Sequence, residues 1–331
     1  MTYSWDKEPV FCFTSDIDWA SESIIEYSHN VLSGNDLKLT YFVTHSSPFL
    51  NDLNEQNKVR LLIHPNFLPD SSHGNSFTEV IDYCLNLVPN ADGFRSHRYF
   101  EVNDIMDDLE KRGFRFVSNH CTRCETHIKP LIHRSGLLSI PIFLEDGGYL
   151  LMDPDLNFNN LIPKLSSPGL KVINFHPAHI AFNTPDFDYT RSIKDSMSRE
   201  SWNNLDKSDL QNLENKQKLG IRTIIQQVID FAFDNNSAAT IALGSAGKGH
   251  GINQSMNSIM NAMPANTAGA VATNDRVIAR HGIIGEHSKG VKFNNIVSVK
   301  VHQPAFGSIF NYGHIHLYTQ SGGHSDLVFH Y

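Results

Sequence analysis

Residues 9–20 read PVFCFTSDIDWA. A run of β-branched and aromatic residues leads straight into two aspartates, Asp16 and Asp18. That is the pattern of a buried strand delivering carboxylates at its C-terminal end. The chain then repeats the theme. SESIIEYSHNVLSG (21–34) has helical spacing, with Ser21 as N-cap and Gly34 as stop. KLTYFVTHSS (38–47) and VRLLIHPNF (59–67) read as strands flanking a short helix, SPFLNDLNEQN (47–57). NSFTEVIDYCLNLVPNA (75–91) and VNDIMDDLEKRGF (102–114) are helical, DGFRSHRYF (92–100) is a short strand or turn, and FRFVSNH (114–120) is a strand. SIPIFLEDGGYLLM (139–152) and GLKVINFHPAHI (169–180) add two further strands. Alternating strands and helices with polar residues at the strand ends predict an α/β fold, a parallel sheet or barrel whose chemistry sits where the strands end. The polar stretch after Leu205 reads as a loop, closed by an amphipathic helix near Arg222–Phe233.

At 331 residues the chain is long enough for two domains or one large one. Forty per cent hydrophobic and 19% charged residues suffice for a sizeable core and exclude a disordered chain. A net charge of −8 argues against a general nucleic-acid binder. No stretch approaches the roughly 20 apolar residues of a membrane span. The start, MTYSWDKEPVFCF, lacks the basic and long apolar regions of a signal peptide. Four cysteines are too few for a disulfide scaffold, so a reduced, cytoplasmic chain is expected. Histidine is abundant, 18 residues, which points to metal or proton-transfer chemistry without locating it.

Composition shifts after residue 236. Residues 237–265 are rich in Gly, Ala, Ser and Asn and read as a linker between a domain at 1–236 and a β segment at 266–331. From Thr267 on, five lysines and arginines face three acids, giving +2 there and −10 elsewhere, which supports that boundary.

Four segments carry candidate chemistry: TSDIDWA with Asp16 and Asp18, IHPNFLPDSSHG with His64 and His73, GFRSHRYF with Arg95, His97 and Arg98, and NFHPAHIAFNT with His176 and His179. A divalent ion held by Asp and His with open positions polarises an amide carbonyl and activates water. A second carboxylate takes the proton and a histidine protonates the leaving amine. Asp-x-Asp on a strand puts both side chains on one face. An arginine beside the base would hold it ionised.

The order of these motifs resembles the polysaccharide deacetylase (NodB-homology) superfamily, in its WbmS-like branch, over about residues 9–235. The resemblance implies a distorted (β/α), TIM-like barrel and a divalent metal, zinc as the expected ion. It implies an N-acetylated sugar or polysaccharide as substrate in surface polysaccharide (O-antigen) biosynthesis, released as amine plus acetate. It assigns Asp16 as general base, Arg95 as its support, His176 as general acid, and Asp18 and His64 as metal ligands. The superfamily's second metal histidine, four residues after the first, is replaced by Leu68. His73 is the expected substitute and His179 the other candidate. The family's Arg-x-Pro has His97 in place of Pro. His97, Arg98, Asp146 and His179 complete the site as substrate-binding residues, with Asp146 in FLEDGG an alternative partner of a catalytic residue. Two rival readings share these residues: hydrolysis of a non-sugar amide, and a catalytically inactive glycan-binding homologue.

HCTRCETH (120–127) crowds four metal-capable side chains into eight residues, where a structural zinc site separates two ligand pairs by a longer loop. Ordinary thiols are expected. The segment 266–331 resembles the bacterial PH-like domain family through DRVI–R–GII, NNIVSVKVHQ, the G-x-IF-x-YG turn and SGG. This implies a small β barrel with a binding or oligomerisation role, and no catalytic part for its seven histidines or for His314 and His316 on one strand face.

Overall fold

The computed structural model describes residues 4–32, 37 and 39–235 in full and six strands between 270 and 330 as backbone. β1 (Pro9–Asp16) is buried at every residue after the first. A strand covered on both faces needs a continuous apolar run, not an alternating one, and PVFCF supplies it. β1 pairs in parallel with β9 (Gly169–Phe175), from Pro9 opposite Gly169 to Ser15 opposite Phe175. On its other side it pairs with β2 (Thr40–Val43). The sheet continues through β3 (Arg60–Ile63), β4 (Gly93–Phe94), β5 (Phe116–Val117), β7 (Leu138–Ser139) and β6 (Leu131–Ile132), and ends beyond β9 with β8 (Leu144–Glu145). All pairings are parallel except that of β6 with β7.

The two ends of this order meet through the chain itself. β7 lies beside β5 and β8 beside β9, yet only residues 140–143 separate β7 from β8. Pro141, which lacks an N–H, sits in that gap and cannot extend a ladder. The sheet therefore curls into the distorted, half-open barrel expected from the sequence.

Helices cover the outside. α1 (Glu22–Leu32), α2 (Pro48–Glu55), α3 (Phe77–Leu87) and α4 (Asn103–Lys111) follow β1 to β4 in turn. Ser21, Ser47 and Ser76 accept the N–H groups of Ile24, Leu50 and Glu79, satisfying donors that a helix start leaves unpaired. α3 and α4 pack Val80, Ile81, Ile105, Met106 and Leu109 against Ile63, Phe94 and Val117 of the sheet.

Three of the readings above differ from the structure. The strand read over 169–180 stops at Phe175, and a short helix begins at Pro177, which needs no N–H partner in a first turn. The strand read over 139–152 stops at Glu145, whose carboxylate accepts the N–H groups of Gly147 and Gly148 and starts α5 (Asp146–Met152). The polar loop after Leu205 contains α10 (Lys207–Leu213), begun by a capping box between Asp206 and Asp209. α6 (Ile162–Leu165), α7 (Pro177–Ala181), α8 (Phe187–Asp195) and α9 (Arg199–Asn203) complete the path to α11 (Ile221–Asp234), the closing amphipathic helix. No helix among the described residues is long and apolar enough to cross a membrane.

The chain divides into two units, Thr2–Ala262 and Met263–Tyr331. The second carries two antiparallel sheets. One joins β10 (Ala270–Ala272), β11 (Arg276–His281) and β12 (His287–Lys292); the other joins β13 (Ile296–His302), β14 (His314–Thr319) and β15 (Leu327–His330). The expected linker at 237–265 and the side chains of the seven C-terminal histidines lie outside the described residues.

Candidate active site

The candidate residues gather where the parallel strands end. Asp16 closes β1; His64, Arg95, Asp146 and His176 each come directly after β3, β4, β8 and β9. Parallel strands aim all their C-terminal ends at one rim, so residues far apart in sequence converge there.

Arg95 is fully buried. A buried guanidinium is costly unless every donor is used. Its Nε donates to the Ser118 carbonyl and Nη2 to Ser118 Oγ, both at 2.9 Å. Nη1 reaches Asp16 Oδ1 at 2.8 Å, Thr14 Oγ1 at 3.0 Å and Asn174 Oδ1 at 2.5 Å. The guanidinium lies 4.2 Å from the Phe42 ring centroid. Asn174 Nδ2 donates to the other Asp16 oxygen at 2.9 Å. Asp16 is thus an oriented carboxylate with one charged and one neutral donor, and its remaining lone pairs stay free for a proton. Thr14 and Asn174 face each other across β1 and β9, so sheet register assembles the cluster.

Asp18 lies beyond the end of β1, at φ 42°. The left-handed turn, not strand alternation, carries it over the rim. Its Oδ1 stands 3.1 Å from His64 Nε2 and 3.1 Å from His97 Nδ1. Burial opposes its charge, but the hydrogen bonds from both imidazoles and the field of His176 hold its carboxyl well below the usual range. The donor atoms of Asp18, His64 and His97 all lie within 4.8 Å of one another. His97 reaches this point from a 3₁₀ turn, His97–Tyr99, in which Arg98 and Tyr99 are left-handed.

His176 sits 3.6 Å from Asp18 Oδ2 through Nε2, while its Nδ1 donates to Asp146 Oδ1 at 2.7 Å. The His176 backbone N–H donates to the other Asp146 oxygen, also at 2.7 Å. Burial disfavours the imidazolium, but Asp146 outweighs it and lifts the His176 pKa well above its ordinary value. Burial also raises the Glu145 carboxyl, to about 7, with the adjacent Asp146 charge adding to the rise.

The remaining predicted residues are placed as follows. His73 stands apart from the Asp18 group, because both its ring nitrogens are engaged. Nδ1 accepts the Asn66 N–H at 3.1 Å and Nε2 donates to the Thr44 carbonyl at 2.9 Å. His179 belongs with His176 and Asp146 in a second group of converging donors, and its Nδ1 has no hydrogen-bond partner. Asp146 is fully buried and hydrogen-bonded to His176. Arg98 is exposed. Among the described residues no group of three converging donors includes His120, Cys121, Cys124 or His127. Asn174, Thr14 and Ser118, which hold Arg95 and Asp16, were not singled out in the sequence. Asn174 had a signal: it is the one polar side chain inside the apolar run LKVINF that precedes His176, apart from Lys171.

Comparison with known proteins identifies a family and a related fold. The family model for WbmS-like polysaccharide deacetylases matches residues 13–194, and that for the bacterial PH domain matches residues 231–330. A crystal structure described as a polysaccharide deacetylase involved in O-antigen biosynthesis, from Bordetella bronchiseptica, is 27% identical, with a TM-score of 0.57 over 66% of this chain and 90% of that one. A polysaccharide deacetylase structure from Mycobacterium smegmatis is 12% identical, with a TM-score of 0.36 over 72% of this chain and 94% of that one. The search of curated proteins returns no match. With strand ends, paired carboxylates and histidines in the family's order, the chain belongs to the WbmS-like polysaccharide deacetylases and so to the hydrolases acting on amide bonds.

Proposed function

We propose that the protein is a metal-dependent N-deacetylase that hydrolyses the acetamide of an N-acetylated sugar in surface polysaccharide synthesis. The observation that carries it is the convergence of Asp18, His64 and His97 within 4.8 Å, beside both an Arg95–Asp16 pair and a His176–Asp146 pair. One carboxylate and two imidazoles form the donor set of a hydrolytic divalent site, with zinc as the expected ion. Asp18, His64 and His97 would hold it, with His97 in the place expected of His73. Bound there, the ion supplies Lewis acidity towards the acetamide carbonyl.

The chain's own groups do the proton transfers. Asp16, oriented by Arg95 and Asn174, takes the proton of the attacking water as its oxygen bonds to the carbonyl carbon. His176 enters protonated, held by Asp146 at Nδ1, and delivers the Nε2 proton to the sugar nitrogen as the C–N bond breaks. Acetate and the free amine leave. Cys84, Cys121 and Cys124, present as thiols, suit a reducing cytoplasm. We place the catalytic domain at 1–236, and in the β segment at 266–331 a PH-like module for assembly.

Metal content separates the two histidines. Wild-type protein reconstituted with zinc should carry about one ion per chain, and His97→Ala should lose it on dialysis while His73→Ala keeps it. The reverse pattern would overturn the ligand assignment.

A further inference from the structure

A cavity of about 260 Å³ opens beside the candidate site. Its lining brings Asp18, His176 and His179 together with Arg191 and Lys194 of α8, and with Trp202 and Phe187. Arg191 and Lys194 are three apart on one helix, so their side chains share a face. Among the described residues neither is within ion-pair distance of a carboxylate. Lys194 Nζ stands 5.2 Å from the Trp202 ring centroid. A third cation, Arg199, lies 6.0 Å over Trp19, whose ring packs edge-on against His97 at 5.1 Å.

Neighbouring cations repel each other, and a chain with net charge −8 has acids to spare for neutralising them. Leaving two unneutralised in the lining beside the reacting groups gives the cavity affinity for an anion. The volume is just below the roughly 300 Å³ at which ligand pockets begin, which suits one substituted sugar ring and not a length of polymer. The proposed catalytic groups act on the acetamide of the same ring.

We propose that Arg191 and Lys194 bind an anionic group of the substrate, so that the preferred acetamido sugar carries a carboxylate or a phosphate. This rests on the deacetylase reading and names its substrate class. The arginine fork suits a planar carboxylate bidentately, and Lys194 adds a point charge that serves either anion.

The test uses the full-length, zinc-loaded chain and three probes with the same acetamide. These are the neutral methyl glycoside of N-acetylglucosamine, the methyl glycoside of N-acetylglucosaminuronic acid, and N-acetylglucosamine 1-phosphate. Acetate release gives kcat/KM, and calorimetry gives binding independently of turnover. At least one anionic probe should exceed the neutral one by about tenfold or more, the scale of one charge-assisted hydrogen bond. Preference for the uronic acid identifies a carboxylate, and preference for the ester identifies a phosphate. In the Arg191→Gln/Lys194→Gln variant the anionic-to-neutral ratio should collapse towards one, whereas Arg191→Lys should retain part of it. A ratio of one in the wild type, or a high ratio that survives in the double variant, overturns the assignment. If no probe releases acetate, the deacetylase reading fails, and binding decides the cavity separately. Anion-selective binding lost in the double variant upholds the assignment, and its absence overturns it.

Discussion

Asp16 and His97 show what single residues contribute. Arg95 and Asn174 hold Asp16 in the orientation the proposed base needs, and Asp16→Asn keeps the shape while removing the basic oxygen. Its kcat should fall roughly 10²–10⁴-fold, as for loss of a general base. Retention of near-wild-type kcat, with the melting temperature showing the variant folded, would exclude Asp16 as base. The aspartates, His64 and His176 were legible in the sequence because each terminates or follows an apolar run, whereas Arg95, after only Gly93 and Phe94, was legible from the order of the motifs. His97 was harder. It reaches Asp18 through a 3₁₀ turn with two left-handed residues, a backbone state that nothing in RSHRY dictates. The hint was chemical: a histidine stands where the family motif has proline. His73 has the right chemistry in the sequence, but the Thr44 carbonyl and the Asn66 N–H occupy its ring.

Elements were read well where burial is two-sided and poorly where one side chain decides. β1, β3 and β9 are apolar runs and could be read directly. β8 ends because the Glu145 carboxylate caps α5, and α10 begins because Asp206 and Asp209 form a capping box; both are local hydrogen bonds inside stretches whose composition reads otherwise. β4 has only two residues, yet it places Arg95. Gly93 allows this, because a β-carbon there would collide with the Phe116 ring, its partner on β5. Gly93→Ala should therefore lower stability by about 1–3 kcal/mol, the usual cost of overpacking. A reduced urea midpoint at unchanged slope would show it. An unshifted midpoint would mean that β4 and β5 separate freely.

At the scale of the molecule, the fold buries imidazoles outside the candidate site as well as within it. His29 on α1 bonds Tyr41 at 2.9 Å through Nδ1, and burial, with Lys58 nearby, pushes its pKa down to about 4. The unfolded chain takes up that proton nearer pH 6.5, so between about 6.5 and 4 it binds more protons than the folded one. The stability His29 contributes is complete above that window and is lost as pH falls through it. His29→Gln should make the pH dependence of the unfolding free energy shallower between pH 4 and 6.5, measured by denaturant titration; an identical slope would refute the assignment. The barrel itself was legible in strand–helix alternation, but its closure through residues 138–145 was not, because it depends on which strands the two ends of one short segment meet. The claim that this rim is a metal-dependent deacetylase is tested most directly by acetate release from acetamido sugars before chelation, after chelation, and after zinc is restored. The account predicts release, its loss on chelation and its recovery with zinc. Release that ignores chelation, or no release from the zinc-loaded enzyme, would contradict it.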